Sequence, residues 1–224
     1  MLSKKVLDNL TNIYEKILGK KVLIIDFETT GLFDFKQFKN IKNNEIFKNS
    51  RIIEVGYFYT ENFGENFNDV EIHSYLRTPT DFPITDINNS TDIHNITPDM
   101  ILNNGSTFEN ILKYDLSDKL NNCDCIISHN TQFDLSILLN ELFRINNNNI
   151  IRKIYKLYNK NNIICTCKAT GYKKLSVLYK CIFDSEPELL HRAGNDVKTL
   201  LEIIIKKNIN NRFLFTLDIS NNII

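Results

Sequence analysis

The chain has 224 residues, 42% of them hydrophobic, with 27 basic and 27 acidic side chains. That length suffices for one domain with a real core and is short for two. Balanced charge gives no global field to recruit nucleic acid or an anionic membrane, so a polyanionic partner must be held by a local patch or by bound cations.

No apolar run approaches the ~18 residues of a membrane span, and a secretory pattern is missing. Residues 2–18 place Val6, Leu10, Ile13 and Ile17 at helical spacing, with Asp8 and Glu15 on other faces. That pattern predicts a packed helix rather than a targeting peptide. Residues 21–28 form a continuous apolar strand of the kind buried on both faces. RIIEVGYFYT (51–60) and VEIHSYLR (70–77) are a second and third strand, close enough to make an antiparallel meander.

The segment 33–50, FDFKQFKNIKNNEIFKNS, interleaves Phe33, Phe35, Phe38 and Phe47 with Lys36, Lys39, Lys42 and Lys48. It reads either as rings and lysines that grip single-stranded nucleic acid or as a covering element with solvated lysines.

Further along, 107–120 is helical, with Thr107 or Ser106 as N-cap. CDCIIS (123–128) is a short buried strand, 131–145 an amphipathic helix, and the asparagine run 146–149 a loop. Residues 163–166 are a fifth strand candidate, followed by helices near 175–179 and over 193–206. RFLFTLDI (212–219) fits strand or helix. Meander followed by alternating units predicts one α/β domain, a mixed sheet with helices on both faces.

Five cysteines, an odd number, indicate reduced thiols in an intracellular compartment, cytoplasm or nucleus. The close pairs Cys123/Cys125 and Cys165/Cys167 raise a four-thiolate zinc site, but their spacing is tighter than the usual roughly two to four residues. Small apolar side chains in or near the sheet are the preferred reading.

The stretch VLIIDFETTGL (22–32) sets Asp26 and Glu28 two apart on a strand, so both carboxylates leave the same face. Like charges in apolar surroundings need protons or a cation, and Mg²⁺ or Mn²⁺ suits hard oxygen ligands. Solvated acids at a strand end are the plain alternative. Two further segments carry acids: SHNTQFDLSILL holds Asp134 just inside a helix, and HRAGNDVKTLL holds His191 and Asp196.

With these motifs the sequence resembles the DEDDh (DnaQ-like) 3′→5′ exonucleases. DFETTGL is similar to the family's first motif, HNTQFD to its second and HRAGND to its third, in order across roughly residues 21–206. RIIEVG, IHNIT (93–97) and KLSVLYKCIF add supporting matches. The resemblance implies an RNase H-like fold with a five-stranded mixed sheet. It divides the chain into an N-terminal helical extension (1–20), an exonuclease domain (21–207) containing the 33–50 insertion, and a tail (208–224).

It also implies that Asp26, Glu28, Asp134 and Asp196 ligate two Mg²⁺ or Mn²⁺ ions and that His191 is the general base. Thr29 and Thr30 would meet the terminal 3′ hydroxyl, Leu32 would wedge against the last bases, and His94 and Phe133 would line the nucleotide pocket. Core packing is the plain reading of Leu32 and Phe133. Five residues along an ideal helix separate side chains by about 140°, so His191 is expected in the loop entering the last helix rather than on it. Of the other histidines, His73 reads as structural and His129 as a backbone hydrogen-bonding residue.

The implied activity is hydrolysis of single-stranded or frayed DNA from its 3′ end to nucleoside 5′-monophosphates, of the proofreading or repair type. An exoribonuclease trimming RNA 3′ ends is the alternative, and a non-catalytic nucleic-acid- or polymerase-binding module a third. A proofreading role needs a polymerase as a separate chain, and a homodimer is compatible with the reading. No membrane partner is expected.

Overall fold

β1 (Val22–Thr29) lies at the centre of the sheet, and its first four residues are fully buried. It pairs antiparallel with β2 (Ile52–Thr60), which pairs antiparallel with β3 (Ile72–Leu76). On its other side it pairs parallel with β4 (Cys125–Ser128), which pairs parallel with β5 (Ile163–Cys165). The computed structural model describes residues 2–33, 42, 44–65, 67, 70–188 and 190–209. Its sheet order is β3-β2-β1-β4-β5, the mixed five-stranded arrangement expected from the sequence.

Alternation along β1 divides the core in two. Leu23, Ile25 and Phe27 join Val55 and Tyr57 in a cluster with α4 (Phe108–Ile111), α5 (Ser117–Asn122), α6 (Thr131–Arg144) and α7 (Asn148–Asn159). Val22 and Ile24 face the opposite way, onto Ile13 and Ile17 of α1 (Lys4–Ile17) and the helix that begins at Ala193. Val6 and Leu10 of α1 continue into a cluster with Leu178 and Ile203. The segment set apart as an extension thus shares its apolar contacts with the rest of the core.

Short helices fill the span after β3: a 3₁₀ turn (Ile84–Asn89), α2 (Thr91–His94) and α3 (Pro98–Asn104). Thr107 caps α4, accepting from the Asn110 amide, and a π turn (Leu112–Leu116) joins α4 to α5. Beyond β5 come α8 (Thr166–Ala169), α9 (Leu175–Phe183) and α10 (Ala193–Ile209).

The sequence reading had no helix between α6 and β5, where α7 stands. Ile150, Ile151, Ile154 and Leu157 give it a buried stripe, and Asn147 caps it by accepting from the Ile150 amide. The asparagines read as loop are therefore partly a cap and a first turn, consistent with asparagine's preference for N-caps. Residues 210–224, including the ambiguous 212–219, lie outside the described residues.

Phe33 and Phe47 of the insertion are core residues, with ring centroids 4.6 Å apart. For these two rings that supports the covering alternative over a grip on nucleic acid. Lys42 lies over the Phe143 ring and Lys48 faces Glu45, while Phe35, Lys36, Phe38 and Lys39 fall outside the described residues. Among the described residues no helix is long and apolar enough to cross a membrane.

Candidate active site

Asp26 and Glu28 leave the α10 face of β1 at its carboxyl end, and Asp196 comes from the first turn of α10. Carboxylate oxygens of these three residues lie within 4.8 Å of one another. This closeness requires glycine on the neighbouring strand. Gly56 is the partner of Asp26 across the β1–β2 ladder, and a Cβ there would sit 2.2 Å from the Ala193 carbonyl carbon and 2.5 Å from the Gly194 nitrogen. The start of α10 therefore lies directly on the β2 backbone. The helix N-terminus also favours a carboxylate in its first turn.

Asp134 enters from α6, whose apolar side packs on the other face of the sheet. It is buried, and the Ser128 side chain hydrogen-bonds it. Asp134 Oδ2 and Asp196 Oδ1 are buried without a hydrogen-bond partner, which is costly for an oxygen expected to carry charge.

Burial raises the pKa of all four acids. Asp26 is pushed well above the usual carboxylate range, by burial first and then by the charges of Asp134, Asp196, Glu28 and Glu54. Glu28 rises to about 8, from burial and then from Asp196 and Glu54, with Arg192 opposing. Asp134 and Asp196 each rise to about 7, chiefly from burial. Four clustered carboxyls of this kind hold either protons or cations. All-oxygen donors with orphaned buried atoms fit hard divalent ions.

His191 lies in the loop entering α10, as its spacing from Asp196 predicted. Its side chain is exposed, its φ of 67° is in the left-handed region, and its backbone N–H donates to the Asp196 carboxylate.

Glu54, which the sequence reading did not single out, holds this loop. It faces Glu28 across the ladder and is fully buried. Arg192 donates to it from Nε at 3.0 Å and from a terminal nitrogen at 2.6 Å, the Ala193 amide at 2.8 Å, and Ser74 Oγ at 2.9 Å. The available signal was a glutamate inside the apolar run RIIEVG and an arginine directly after His191.

A second buried ion-pair group fixes α6 to the end of β1. Arg51 donates to Glu141 from Nε at 2.8 Å and from a terminal nitrogen at 2.9 Å, and Arg77 reaches the same carboxylate at 2.7 Å. The Arg51 backbone N–H donates to Thr30 Oγ1, and the Thr30 N–H donates to the Arg51 carbonyl. Asp134 and Glu141 are two turns apart on one helix, hence on one side of it.

The expected substrate residues are distributed differently from one another. Thr29 and Thr30 are buried at the end of β1, and Leu32 is 80% exposed. Phe133 stacks on Phe33 with centroids 5.5 Å apart. His94 is 1% exposed. Its Nδ1 accepts from the Ile96 amide at 3.0 Å, so the ring proton is on Nε2 and is donated to Ser90 Oγ at 3.1 Å. Ser90 in turn donates to the Thr29 carbonyl at 2.7 Å. Both ring nitrogens are thus engaged, and the link from His94 to β1 runs through Ser90. Burial lowers the His94 pKa, favouring this neutral form. His129 bonds the Lys173 carbonyl, and His73 stacks on Tyr57.

Two nucleases are among the solved structures that share this fold. Cell-death related nuclease 4 is 15% identical with a TM-score of 0.51, and the match covers 86% of this chain and 64% of that one. This chain thus spans just under two thirds of that nuclease. A full-length 3′-exonuclease is 17% identical with a TM-score of 0.51, over 87% of this chain and 83% of that one. No curated protein sequence matches the chain. The family described as RNase_T, exonuclease, matches residues 23–204, a span that includes every acid of the site. The chain belongs to this exonuclease family, on an RNase H-like fold.

Proposed function

We propose that the protein is a metal-dependent 3′→5′ exonuclease acting on single-stranded or frayed DNA and releasing nucleoside 5′-monophosphates. The observation that carries this reading is the carboxylate group, three of whose half-buried members lie within 4.8 Å and two of whose oxygens are buried without partners. Asp26, Glu28, Asp134 and Asp196 would hold two Mg²⁺ or Mn²⁺ ions. When bound, such ions supply charge neutralisation at the phosphate and make water a competent nucleophile near neutral pH.

The chain's own residues do the rest. His191, exposed at the mouth of the site, takes the proton of the attacking water. The backbone at Thr29 and Thr30 receives the terminal 3′ hydroxyl, the exposed Leu32 offers an apolar wedge to the last base, and Phe133 backs the pocket. His94, itself buried, supports the same corner from behind through Ser90 and the Thr29 carbonyl. A strand must enter frayed, because the scissile phosphate has to reach the carboxylates.

The preference for DNA rests on the resemblance of ETTGL to proofreading exonucleases, and the cellular role proposed with it is proofreading or repair beside a polymerase chain. Digestion of 5′-labelled single-stranded DNA and RNA of one sequence, with Mg²⁺, Mn²⁺ or EDTA, tests the reading. A metal-dependent ladder shortening from the 3′ end, faster on DNA, is expected. Asp196→Ala should abolish it, and His191→Ala should lower kcat while metal binding persists. Shortening from the 5′ end, or undiminished hydrolysis by both variants, overturns the proposal.

A further inference from the structure

We infer that Lys168, Tyr172, Lys173 and Lys174 form a track for the single strand whose 3′ end enters the carboxylate site, an inference that rests on the nuclease reading above. The neutral overall charge conceals a separation along the chain. Residues 146–183 contain eight lysine and arginine residues and no aspartate or glutamate. The remainder of the chain is net acidic, and it includes all four site carboxylates.

The later part of that basic stretch is held beside the site. β4 and β5 run parallel, so the turns that follow them emerge at the same end of the sheet. His129, directly after β4, ties those turns together. Its Nε2 donates to the Lys173 carbonyl at 2.8 Å, its Nδ1 lies 3.0 Å from Thr166 Oγ1, and its own carbonyl accepts from the Cys167 amide at 2.9 Å. Burial lowers the pKa of His129, which favours the neutral ring. One residue earlier, Ser128 hydrogen-bonds Asp134. The basic rim is therefore anchored to the segment that positions a site carboxylate.

What the rim presents is unusual for a surface loop. Tyr172 is 75% exposed and adopts φ of 61°, following Gly171 at 72°. A tyrosine in the left-handed region is uncommon, and its ring forgoes the burial that aromatic side chains ordinarily gain. Lys168 and Lys174 are exposed, Lys173 is half-buried, and none of the three pairs with a carboxylate among the described residues.

Unpaired lysines around an outward aromatic ring match the chemistry of a single strand, phosphates on the cations and a base on the ring. The same cations offset the repulsion that a polyanion meets on approaching four carboxylates. An acidic protein surface could satisfy the lysines but gives no reason for a bare aromatic ring among them.

Equilibrium binding of a labelled single-stranded oligothymidylate, measured in EDTA over a range of KCl, tests the track without turnover. Replacing Lys168, Lys173 and Lys174 with serine should reduce the slope of log Kd against log salt by about 2, since each single-strand phosphate contact contributes ~0.7. Tyr172→Ala should weaken binding about ten-fold and leave the slope unchanged, as expected for the loss of one stacked base.

Hydrolysis of the p-nitrophenyl ester of thymidine 5′-monophosphate with Mn²⁺, which engages the site alone, should be the same in wild type and variants. Variants that bind the oligonucleotide as the wild type does, with the same salt slope, overturn the track. The same holds if the wild type binds no oligonucleotide. Strand binding lost in the variants, beside a wild type that hydrolyses no ester, would instead overturn the nuclease reading and leave the track standing.

Discussion

Asp26 and Gly56 face each other across the β1–β2 ladder, and the backbone of Ala193 and Gly194 occupies the space a side chain at position 56 would need. One hydrogen atom in place of a methyl group thus lets the third motif close over the first. Gly56→Ala would force the start of α10 away from the sheet. Overpacking of this kind costs about 1–3 kcal/mol, and a displacement of ~1 Å at a reacting centre can lower turnover about 100-fold. Thermal denaturation and kcat on a single-stranded substrate should both fall. Unchanged kcat with a lowered Tm would show that Asp196 tolerates the shift.

Glu54 is buried opposite Glu28 and depends on Arg192 for compensation. Breaking a buried pair costs roughly 3–5 kcal/mol, and because Arg192 is about a third exposed the lower part of that range, or less, applies. Arg192→Met should therefore destabilise the protein in urea unfolding. Adding Glu54→Gln should recover part of the loss, because the stranded charge is removed. A double variant whose loss equals the sum of the singles would argue that the pair is not coupled.

The carboxylate group also sets a pH dependence. Glu28, Asp134 and Asp196, with native pKa values of about 8, 7 and 7, and Asp26, also raised, begin from 3.8 to 4.5 when unfolded. Between those limits the native state holds protons that the unfolded state has released. The sign follows: metal-free protein loses stability as pH rises from about 4 to about 8. Divalent cations should reverse this by binding the ionised group, so the Tm gain on adding Mn²⁺ should grow with pH. Asp134→Asn should raise the metal-free Tm at pH 8 and shrink that gain. A Mn²⁺ effect independent of pH would count against these four residues as the binding site.

Glu141 behaves in the opposite sense. Burial alone would raise its pKa, but Arg51 and Arg77 outweigh that and hold it below the usual value. Its contribution is present above the unfolded carboxyl pKa and disappears as pH falls through the lower native one. Glu141→Gln leaves two buried guanidinium groups sharing Asp81, a change expected to cost about 3–5 kcal/mol. Because Glu141 and Asp134 share a helix, Mn²⁺ affinity should fall as well, which isothermal titration of the folded variant would reveal. Unaltered affinity would limit Glu141 to a purely structural part.

Much of the site could be read from local pattern. Asp26 and Glu28 share a face because strands repeat every second residue, and His191 was expected before α10 because five residues along a helix set side chains about 140° apart. The buried stripe of α7 was equally periodic, but an asparagine run at its start read as loop. Glu54 gave no local sign of its task. It looked like one more strand residue until Arg192, 138 positions away, was brought against it.

The order of residues alone determined that residues 21–28 form a strand buried on both faces, which acids lie on one face, and to which family the chain belongs. These follow from side-chain period and motif spacing, properties of contiguous sequence. Tertiary structure alone decided that Asp196 comes within reach of Asp26, that Gly56 makes room for it, that Glu54 holds the His191 loop, and that His129 ties the backbone at Lys173 to the end of β4. Those relations join residues far apart in the chain, and their energy comes from close packing and low local dielectric, which exist only once the chain has folded.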